Sequence, residues 1–327
     1  MSDFATALLT ENVFFKNQQP GEQDSRTEIL DGLHQNQKTI NPKYFYDTYG
    51  SELFERITRL PEYYPTRTER SLYVKHADAI AELCGESCVM IEPGSGSSEK
   101  VRLLLDALKP RAYVPMDIAK EFLQRSALKL GKEFSWLNVH AVCADFGKYD
   151  EAPEGLPEGK RVIFYPGSTL GNMTPEMAKQ FLVDLRPWLG QDGGMLIGID
   201  LHKSSNTLTA AYNDRDGVTA AFNLNVLNHI NRLTNSNFDQ KSFSHRAFYN
   251  VELQRIEMHL ESNIDHIVRV GDTAIAFAEG ETIHTENSYK YTQESFEKLA
   301  EDAGLRVSQS WLDDKQLFSV HYLELQH

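Results

Sequence analysis

The 327-residue chain has few of the features that mark secreted or membrane proteins. Its three cysteines, Cys84, Cys88 and Cys143, are too few for a disulfide framework, which indicates a reducing compartment and predicts a cytoplasmic location. The longest apolar stretches, such as residues 195–199, fall far short of the ~20 residues that a membrane helix needs. The N-terminal residues also lack the apolar segment of an export signal, so we expect no membrane partner.

Positive charge is scarce as well. The chain has 33 Lys and Arg residues against 47 Asp and Glu residues, which gives a formal net charge of −14. Such a chain repels phosphate backbones unless it carries a strong local basic patch, and its sequence has none, so we expect no nucleic-acid partner. With 41% hydrophobic and 24% charged residues, the composition is that of a globular protein, and the length allows roughly two domains. We expect a monomer.

Between about residues 88 and 202, short apolar runs alternate with segments of helical periodicity. The predicted strands are residues 88–91, 112–116, 136–142, 161–165 and 195–199, and the predicted helices are residues 99–108, 120–130 and 175–189. Strands and helices in alternation predict a parallel sheet in a doubly wound α/β domain. A further helix and two strands near the C-terminus predict an antiparallel final pair.

Residues 203–289 do not continue the alternation of strands and helices. They are rich in asparagine and contain apolar runs that indicate strands of a separate sheet. The first 67 residues are polar and mostly of helical pattern. We therefore expect two discontinuous domains. An α/β core is formed by residues 68–202 and 290–327, and a second, inserted α+β domain is formed by residues 1–67 and 203–289.

A glycine-containing loop follows the first predicted strand of the core. Its sequence is Ile91-Glu92-Pro93-Gly94-Ser95-Gly96-Ser97-Ser98-Glu99-Lys100. Two glycines let the backbone approach a ligand closely, and a helix that begins here adds unpaired N–H donors. The dinucleotide fingerprint places a third small residue where Glu99 stands, so this loop disfavours NAD.

Acidic residues follow the next two predicted strands. Asp117 can accept hydrogen bonds from ribose hydroxyls, Asp145 can accept one from an adenine amino group, and Phe146 can stack on the base. Acids at the ends of the second and third strands, beside a glycine loop at the first, are typical of S-adenosylmethionine methyltransferases. The predicted cofactor is therefore S-adenosyl-L-methionine.

Longer signatures resemble one family over nearly the whole chain from about residue 28. They comprise residues 41–47, 50–54, 57–69, 94–100, 167–172, 211–212, 217–223, 255–258 and 285–288. These segments resemble the bacterial L-histidine Nα-methyltransferases of ergothioneine biosynthesis. The resemblance implies a Rossmann-like methyltransferase sheet with an inserted substrate-recognition domain. It also implies stepwise methylation of L-histidine, through the mono- and dimethylated forms, to the trimethylated product hercynine.

The resemblance implies roles for residues at the matching positions. Those expected to contact S-adenosylmethionine are Gly94, Ser95, Lys100, Asp117, Asp145, Phe146, Gly167 and Ser168. Those expected to bind the amino acid are Phe54, Tyr63, Asn172, Tyr212, Thr219, Met258, Glu286, Asn287 and Ser288. Tyr46 and Asn172 are expected to act nearest the reacting nitrogen. No metal is expected, because the histidines include no H-E-x-x-H motif and no i, i+4 pair.

The residue chemistry agrees with these roles. The Asn172 amide has both an acceptor and donors, so it can bridge an amine and a carboxylate. Glu286 and Ser288 can bind the two edges of an imidazole, whereas an indole has only one ring N–H. Two alternatives stay open: an Nα-methyltransferase for another aromatic amino acid such as tryptophan, and a non-catalytic S-adenosylmethionine-binding module.

Overall fold

A computed structural model describes residues 7–18, 25–144, 152–153 and 155–326. The chain divides into two units. The first contains the described parts of Met1–Pro20, Pro65–His202 and Tyr291–His327, and the second contains those of Gly21–Tyr64 and Lys203–Lys290.

The strands and helices are numbered along the chain. The strands are β1 Ala7–Thr10, β2 Val13–Asn17, β3 Lys38–Thr39, β4 Val89–Pro93, β5 Ala112–Asp117, β6 Asn138–Cys143, β7 Arg161–Tyr165, β8 Gly194–Asp200, β9 Phe243–Asn250, β10 Arg255–Ser262, β11 His266–Val270, β12 Thr273–Phe277, β13 Thr282–Tyr289, β14 Leu305–Leu312 and β15 Phe318–Leu325. The helices are α1 Ser25–Leu33, α2 Thr48–Ile57, α3 Tyr64–Cys84, α4 Arg102–Leu108, α5 Lys120–Glu133, α6 Pro175–Leu189, α7 Ser205–Tyr212, α8 Val218–Thr234 and α9 Gln293–Asp302.

The first unit is built on a nine-stranded sheet in the order β1-β2-β6-β5-β4-β7-β8-β15-β14. The strands from β2 to β8 pair in parallel, and β15 is antiparallel to both β8 and β14. The predicted α/β sheet and its antiparallel final pair are confirmed. Every residue of β4 and β8 is buried, as expected for parallel strands that are covered on both faces.

The sheet has its topological switch point between β4 and β7. These two strands are neighbours, and the chain continues from β4 to β5 on one side and from β7 to β8 on the other. The carboxyl ends of two such strands border the crevice in which doubly wound sheets bind ligands. The loops at this crevice contain Gly94 and Gly167, and both glycines have positive φ angles, of 71° and 84°.

Two expectations for the first unit are wrong. The helix predicted from residue 99 begins at Arg102, since the preceding Ser98 adopts a left-handed φ of 55°. The N-terminal segment, expected to be helical and to belong to the second domain, forms β1 and β2 instead. Val13 pairs with Val139 of β6 and is fully buried, so burial of this short apolar segment at the sheet edge outweighs its polar surroundings.

The second unit is α+β, as the expected fold class requires. It contains a four-stranded sheet in the order β3-β13-β10-β9 and a two-stranded sheet of β11 and β12. The helix α8 buries Phe222, Val226 and Ile230, which repeat every four residues along one face. No helix in the described part of the chain is long and apolar enough to cross a membrane.

Candidate active site

The glycine loop after β4 is held in shape by Asp117 at the end of β5. One carboxylate oxygen of Asp117 accepts a hydrogen bond of 2.9 Å from the Gly96 backbone N–H, and the other accepts one of 2.9 Å from Ala119. Each carboxylate oxygen has a second lone pair. Asp117 can therefore fix the loop and still accept hydrogen bonds from ribose hydroxyls.

The same loop has room for a ligand and an unused polar atom. A Cβ added to Gly96 would meet nothing within 4 Å, and the Ser95 hydroxyl is buried with no hydrogen-bond partner among the described residues. Such an atom is costly to leave unpaired, so the loop fits a polar cofactor. Asp145 and Phe146, predicted to bind the adenine, lie outside the described residues.

The loop after β7 forms the other side of the crevice. Gly167 adopts a φ of 84°, and a Cβ there would lie 2.8 Å from the Lys100 Nζ atom. Ser168 also has a positive φ, of 57°, and its hydroxyl accepts a 2.9 Å hydrogen bond from the Asp200 backbone N–H. Gly167 thus lets the Lys100 ammonium approach this loop closely.

A fully buried acid on α3, Glu69, joins the two loops. One of its oxygens accepts hydrogen bonds from the Gly167 backbone N–H (2.8 Å) and the Tyr73 hydroxyl (2.9 Å), and the other forms an ion pair of 2.6 Å with Lys100 Nζ. Glu69 was not predicted from the sequence. It ends the 57–69 signature, but nothing in a helical segment indicates that this acid alone is fully buried.

Glu92, at the carboxyl end of β4, is a second buried acid in the first unit. The Tyr113 hydroxyl donates a hydrogen bond to it. Desolvation raises the pKa of Glu92 from 4.5 to about 8, against the opposing effects of this hydrogen bond and of the nearby Lys100. The folded protein therefore favours the protonated form of Glu92 well into the neutral range.

Replacing Glu92 with Gln should reduce the pH dependence of stability. Because the pKa of Glu92 is higher in the folded chain than in the unfolded chain, its contribution to stability is complete below the unfolded-state pKa. That contribution is lost as the pH rises towards the folded-state pKa of about 8. Gln cannot ionise, so the free energy of unfolding of Glu92→Gln should rise relative to that of the wild-type chain as the pH increases from 5 to 8. Urea denaturation across this range measures the difference. Glu82→Gln, at an exposed position of α3, is the control, and parallel pH profiles for Glu92→Gln and wild type would contradict the expectation.

In the second unit, β10 and β13 bring together several predicted substrate residues. Met258 pairs directly across the strands with Glu286. Because side chains alternate along a strand, Glu286, Ser288 and the following Lys290 lie on one face, while Asn287 lies on the other. The structure therefore does not place the Asn287 side chain with the other predicted residues of this segment. Glu286 itself lies within the strand β13.

Hydrogen bonds link Tyr212 of α7 to this face. The Tyr212 hydroxyl donates to the Ser288 hydroxyl at 2.7 Å, and Lys290 Nζ donates to Ser288 at 2.7 Å and to Tyr212 at 3.4 Å. Desolvation raises the pKa of Glu286 to about 8, and the Lys290 charge partly offsets this rise. We call Tyr212, Met258, Glu286, Ser288 and Lys290 the polar cluster; Lys290 was not predicted.

An aromatic cluster continues from Tyr212. Its members are Tyr46, Phe54, Tyr63, Tyr212 and Phe222, with ring centroids 5.8–6.4 Å apart in successive contacts. Four of these five residues were predicted. Phe222 was not, because an apolar residue on the buried face of a helix has the pattern of an ordinary core residue. The predicted Thr219 lies three residues before it, in the first turn of α8.

Asn172 ends a short 3₁₀ turn after β7, in the first unit. It is half-buried, and its side-chain amide makes no hydrogen bond with the residues that the structure describes. The amide is therefore available to a ligand, as its predicted role requires.

A cluster of Glu257, His259 and His284 in the second unit has the residue types of a metal site. The two imidazoles are stacked, with centroids 4.5 Å apart and planes at 11°. Parallel rings direct their lone pairs side by side, and these cannot converge on one ion at about 2.1 Å. Glu257 also accepts hydrogen bonds from Arg255 and Asn250. This cluster does not fit a metal.

A doubly wound sheet with its glycine loop, loop-fixing Asp117 and unused Ser95 hydroxyl at the switch point defines an S-adenosylmethionine-dependent methyltransferase. The family model described as "Histidine-specific methyltransferase, SAM-dependent" matches residues 25–325. The chain belongs to this family.

Several curated proteins are similar to the chain. It is 40% identical to a histidine N-alpha-methyltransferase of Mycobacterium tuberculosis over 90% of this chain and 93% of that protein. It is 31% identical to ergothioneine biosynthesis protein 1 of Neurospora crassa over 85% of this chain and 32% of that protein. It is 26% identical to an L-tryptophan methyltransferase of Psilocybe serbica over 90% of this chain and 91% of that protein.

Proposed function

We propose that the chain transfers methyl groups from S-adenosylmethionine to the α-amino nitrogen of L-histidine. Its substrates are L-histidine and the mono- and dimethylated forms, and its final product is hercynine, the first intermediate of ergothioneine biosynthesis. The observation that carries the proposal is that Glu286 and Ser288, two residues apart in β13, lie on the same face of the strand. The 40% identity to a histidine N-alpha-methyltransferase supports it.

An imidazole suits this pair because it has an N–H on one edge and an acceptor nitrogen on the other. The Glu286 carboxylate can accept the N–H, and the Ser288 hydroxyl can donate to the second nitrogen. The raised pKa of Glu286 would fall when a ring N–H binds, since such a donor favours the ionised carboxylate.

Bound S-adenosylmethionine would supply an electrophilic methyl group, and its sulfur would keep the electron pair of the broken carbon–sulfur bond. The residues that would hold it are Gly94, Ser95, Lys100, Asp117, Gly167 and Ser168. Asn172 would hold the uncharged α-amine with its lone pair free, because protonated nitrogen cannot attack. Each amine would give up one proton to solvent from its ammonium form before it attacks, so the third transfer yields a quaternary ammonium with no proton left to lose.

The aromatic cluster suits repeated transfer. Phe54 makes edge-to-face ring contacts with both Tyr46 and Tyr63. Aromatic faces attract quaternary ammonium groups through cation–π interactions and need no hydrogen bond from the nitrogen. They can therefore accommodate the amine as it loses its N–H donors. Tyr46 is the residue that we expect nearest the nitrogen.

Mass spectrometry tests the proposal directly. The wild-type chain is incubated with S-adenosylmethionine and an equimolar mixture of amino acids, and the expected product is histidine with three added methyl groups. Asn172→Ala should still bind S-adenosylmethionine but turn over at least about a hundredfold more slowly, because the amine is no longer oriented. Methylated tryptophan would show that the chain is instead a tryptophan methyltransferase, and absence of any product would favour the binding module. Unchanged turnover by Asn172→Ala would show that Asn172 does not position the amine.

A further inference from the structure

Lys290 is a buried ammonium group within the polar cluster, with only 3% of its surface exposed. It follows β13 two residues beyond Ser288. Its Nζ atom lies 2.7 Å from the Ser288 hydroxyl, 3.4 Å from the Tyr212 hydroxyl and 5.1 Å from the Tyr212 ring centroid. Burying an ammonium is costly, so its contacts with these two hydroxyls require explanation.

These contacts set the direction of the hydrogen bonds at Ser288. A serine hydroxyl has two acceptor lone pairs and one proton. Lys290 can only donate, and the Tyr212 hydroxyl donates to the same oxygen at 2.7 Å. Both lone pairs of Ser288 are therefore engaged. Its own proton has no acceptor among the residues described, so the hydroxyl can act only as a donor to a ligand.

We propose that Lys290 is a positioning residue that determines specificity by holding the Ser288 hydroxyl as a donor, so that the site selects an aromatic ring with an acceptor nitrogen. This inference rests on the proposed function, in which Ser288 meets the substrate ring. Neutral imidazole provides the required acceptor and keeps an N–H for Glu286. Indole provides an N–H but no acceptor, and a phenyl ring provides neither.

The residue type at position 290 matters because an ammonium group has no hydrogen-bond acceptor. A glutamine or serine at position 290 could accept a hydrogen bond from Ser288 and reverse the direction of the pair, which would present lone pairs to the substrate. Lysine and arginine cannot, since neither side chain has an acceptor. A site built around one required hydrogen bond rejects analogues that lack the partner far more strongly than a purely apolar pocket does.

The test compares Lys290→Met, Lys290→Gln and Lys290→Arg with the wild-type chain. Lys290→Met should raise the KM for histidine about tenfold, with a much smaller change in kcat, because binding and not chemistry loses a hydrogen bond. In competition between histidine and phenylalanine, scored by mass spectrometry, its preference for histidine should fall by a similar factor. Lys290→Gln should also prefer histidine over phenylalanine less strongly, whereas Lys290→Arg should retain most of the wild-type preference.

A double-mutant cycle separates this role from a structural one. If Lys290 acts through Ser288, the Lys290→Met/Ser288→Ala chain should be no worse than Ser288→Ala alone, within about twofold. Additive losses, or an equal fall in kcat for every amino acid with unchanged preference, would overturn the inference. If Lys290→Met does not fold, as judged by thermal melting, the comparison of Lys290→Gln with Lys290→Arg decides. If the wild-type chain does not methylate histidine, the proposed function is wrong. If the wild-type chain methylates histidine but the variants keep its substrate preference, only the inference about Lys290 is wrong.

Discussion

The Glu286→Ala variant should bind histidine at least about a hundredfold more weakly than the wild-type chain does. In the proposed function the Glu286 carboxylate accepts the ring N–H, and its loss would leave a buried polar group of the substrate without a partner. The methyl transfer step itself should change less, because we assign Glu286 to the ring and not to the reacting amine. Calorimetric titration with histidine, in the presence of S-adenosylhomocysteine, measures the affinity. Glu279→Ala, at an exposed position between β12 and β13, is the control.

Adding Met258→Val to this variant should admit tryptophan. Met258 faces Glu286 directly across β10 and β13, so shortening both side chains opens one continuous space. Removing the carboxyl group also removes a buried polar group that an apolar indole would leave poorly paired. Methylated tryptophan, detected by mass spectrometry, is the expected product of Glu286→Ala/Met258→Val. Histidine affinity unchanged in Glu286→Ala would contradict the assignment of this face to the substrate ring.

The Glu69→Gln variant should bind S-adenosylmethionine at least about tenfold more weakly. Gln can still accept the hydrogen bonds from Gly167 and Tyr73, but it cannot balance the Lys100 ammonium 2.6 Å away. Breaking one side of a buried ion pair leaves an uncompensated charge. Because the cofactor is a sulfonium cation and its product is neutral, the uncompensated Lys100 should weaken S-adenosylmethionine more than S-adenosylhomocysteine.

Calorimetric titration with both ligands tests this expectation, and thermal melting reports any loss of folding. Removing the opposite charge provides the matched control. Glu69→Gln/Lys100→Met should lose less affinity than the sum of the two single variants, since neither charge is then left alone. Equal weakening of both ligands would locate the effect in loop geometry, and unchanged affinity would show that Glu69 does not organise the cofactor loops.

The central sheet was predictable because parallel strands buried on both faces form continuous apolar runs. The bounds of β7 and α6 match their predictions, and α6 is marked by Thr174 as its N-cap and by Pro175 as its first residue. The edge strands β1 and β2 were not predictable in this way. They have four and five residues, and they join the sheet only because β2 pairs with the distant β6 while β1 pairs with β2.

Site residues that belong to a sequence motif could be predicted. Site residues that are distinguished only by their burial could not. Glu69 and Lys290 are charged residues that composition and periodicity place at a surface, and only the three-dimensional structure shows that both are buried. One signal could have found Lys290. Glu286, Ser288 and Lys290 alternate, and alternation over these positions would have placed all three on one face had the segment been recognised as a strand.

The pairing of β10 and β13 shifts by one residue beside the polar cluster. Met258 faces Glu286, but His259 faces His284, so Thr285 is an extra residue in β13. In a regular strand, His284 would share a face with Glu286, and the protein's own imidazole would stand next to the carboxylate that we assign to a substrate imidazole. The bulge turns His284 to the opposite face, where it stacks on His259. If this face binds free histidine, as we propose, the inserted residue keeps the protein's own imidazole from competing for the same carboxylate.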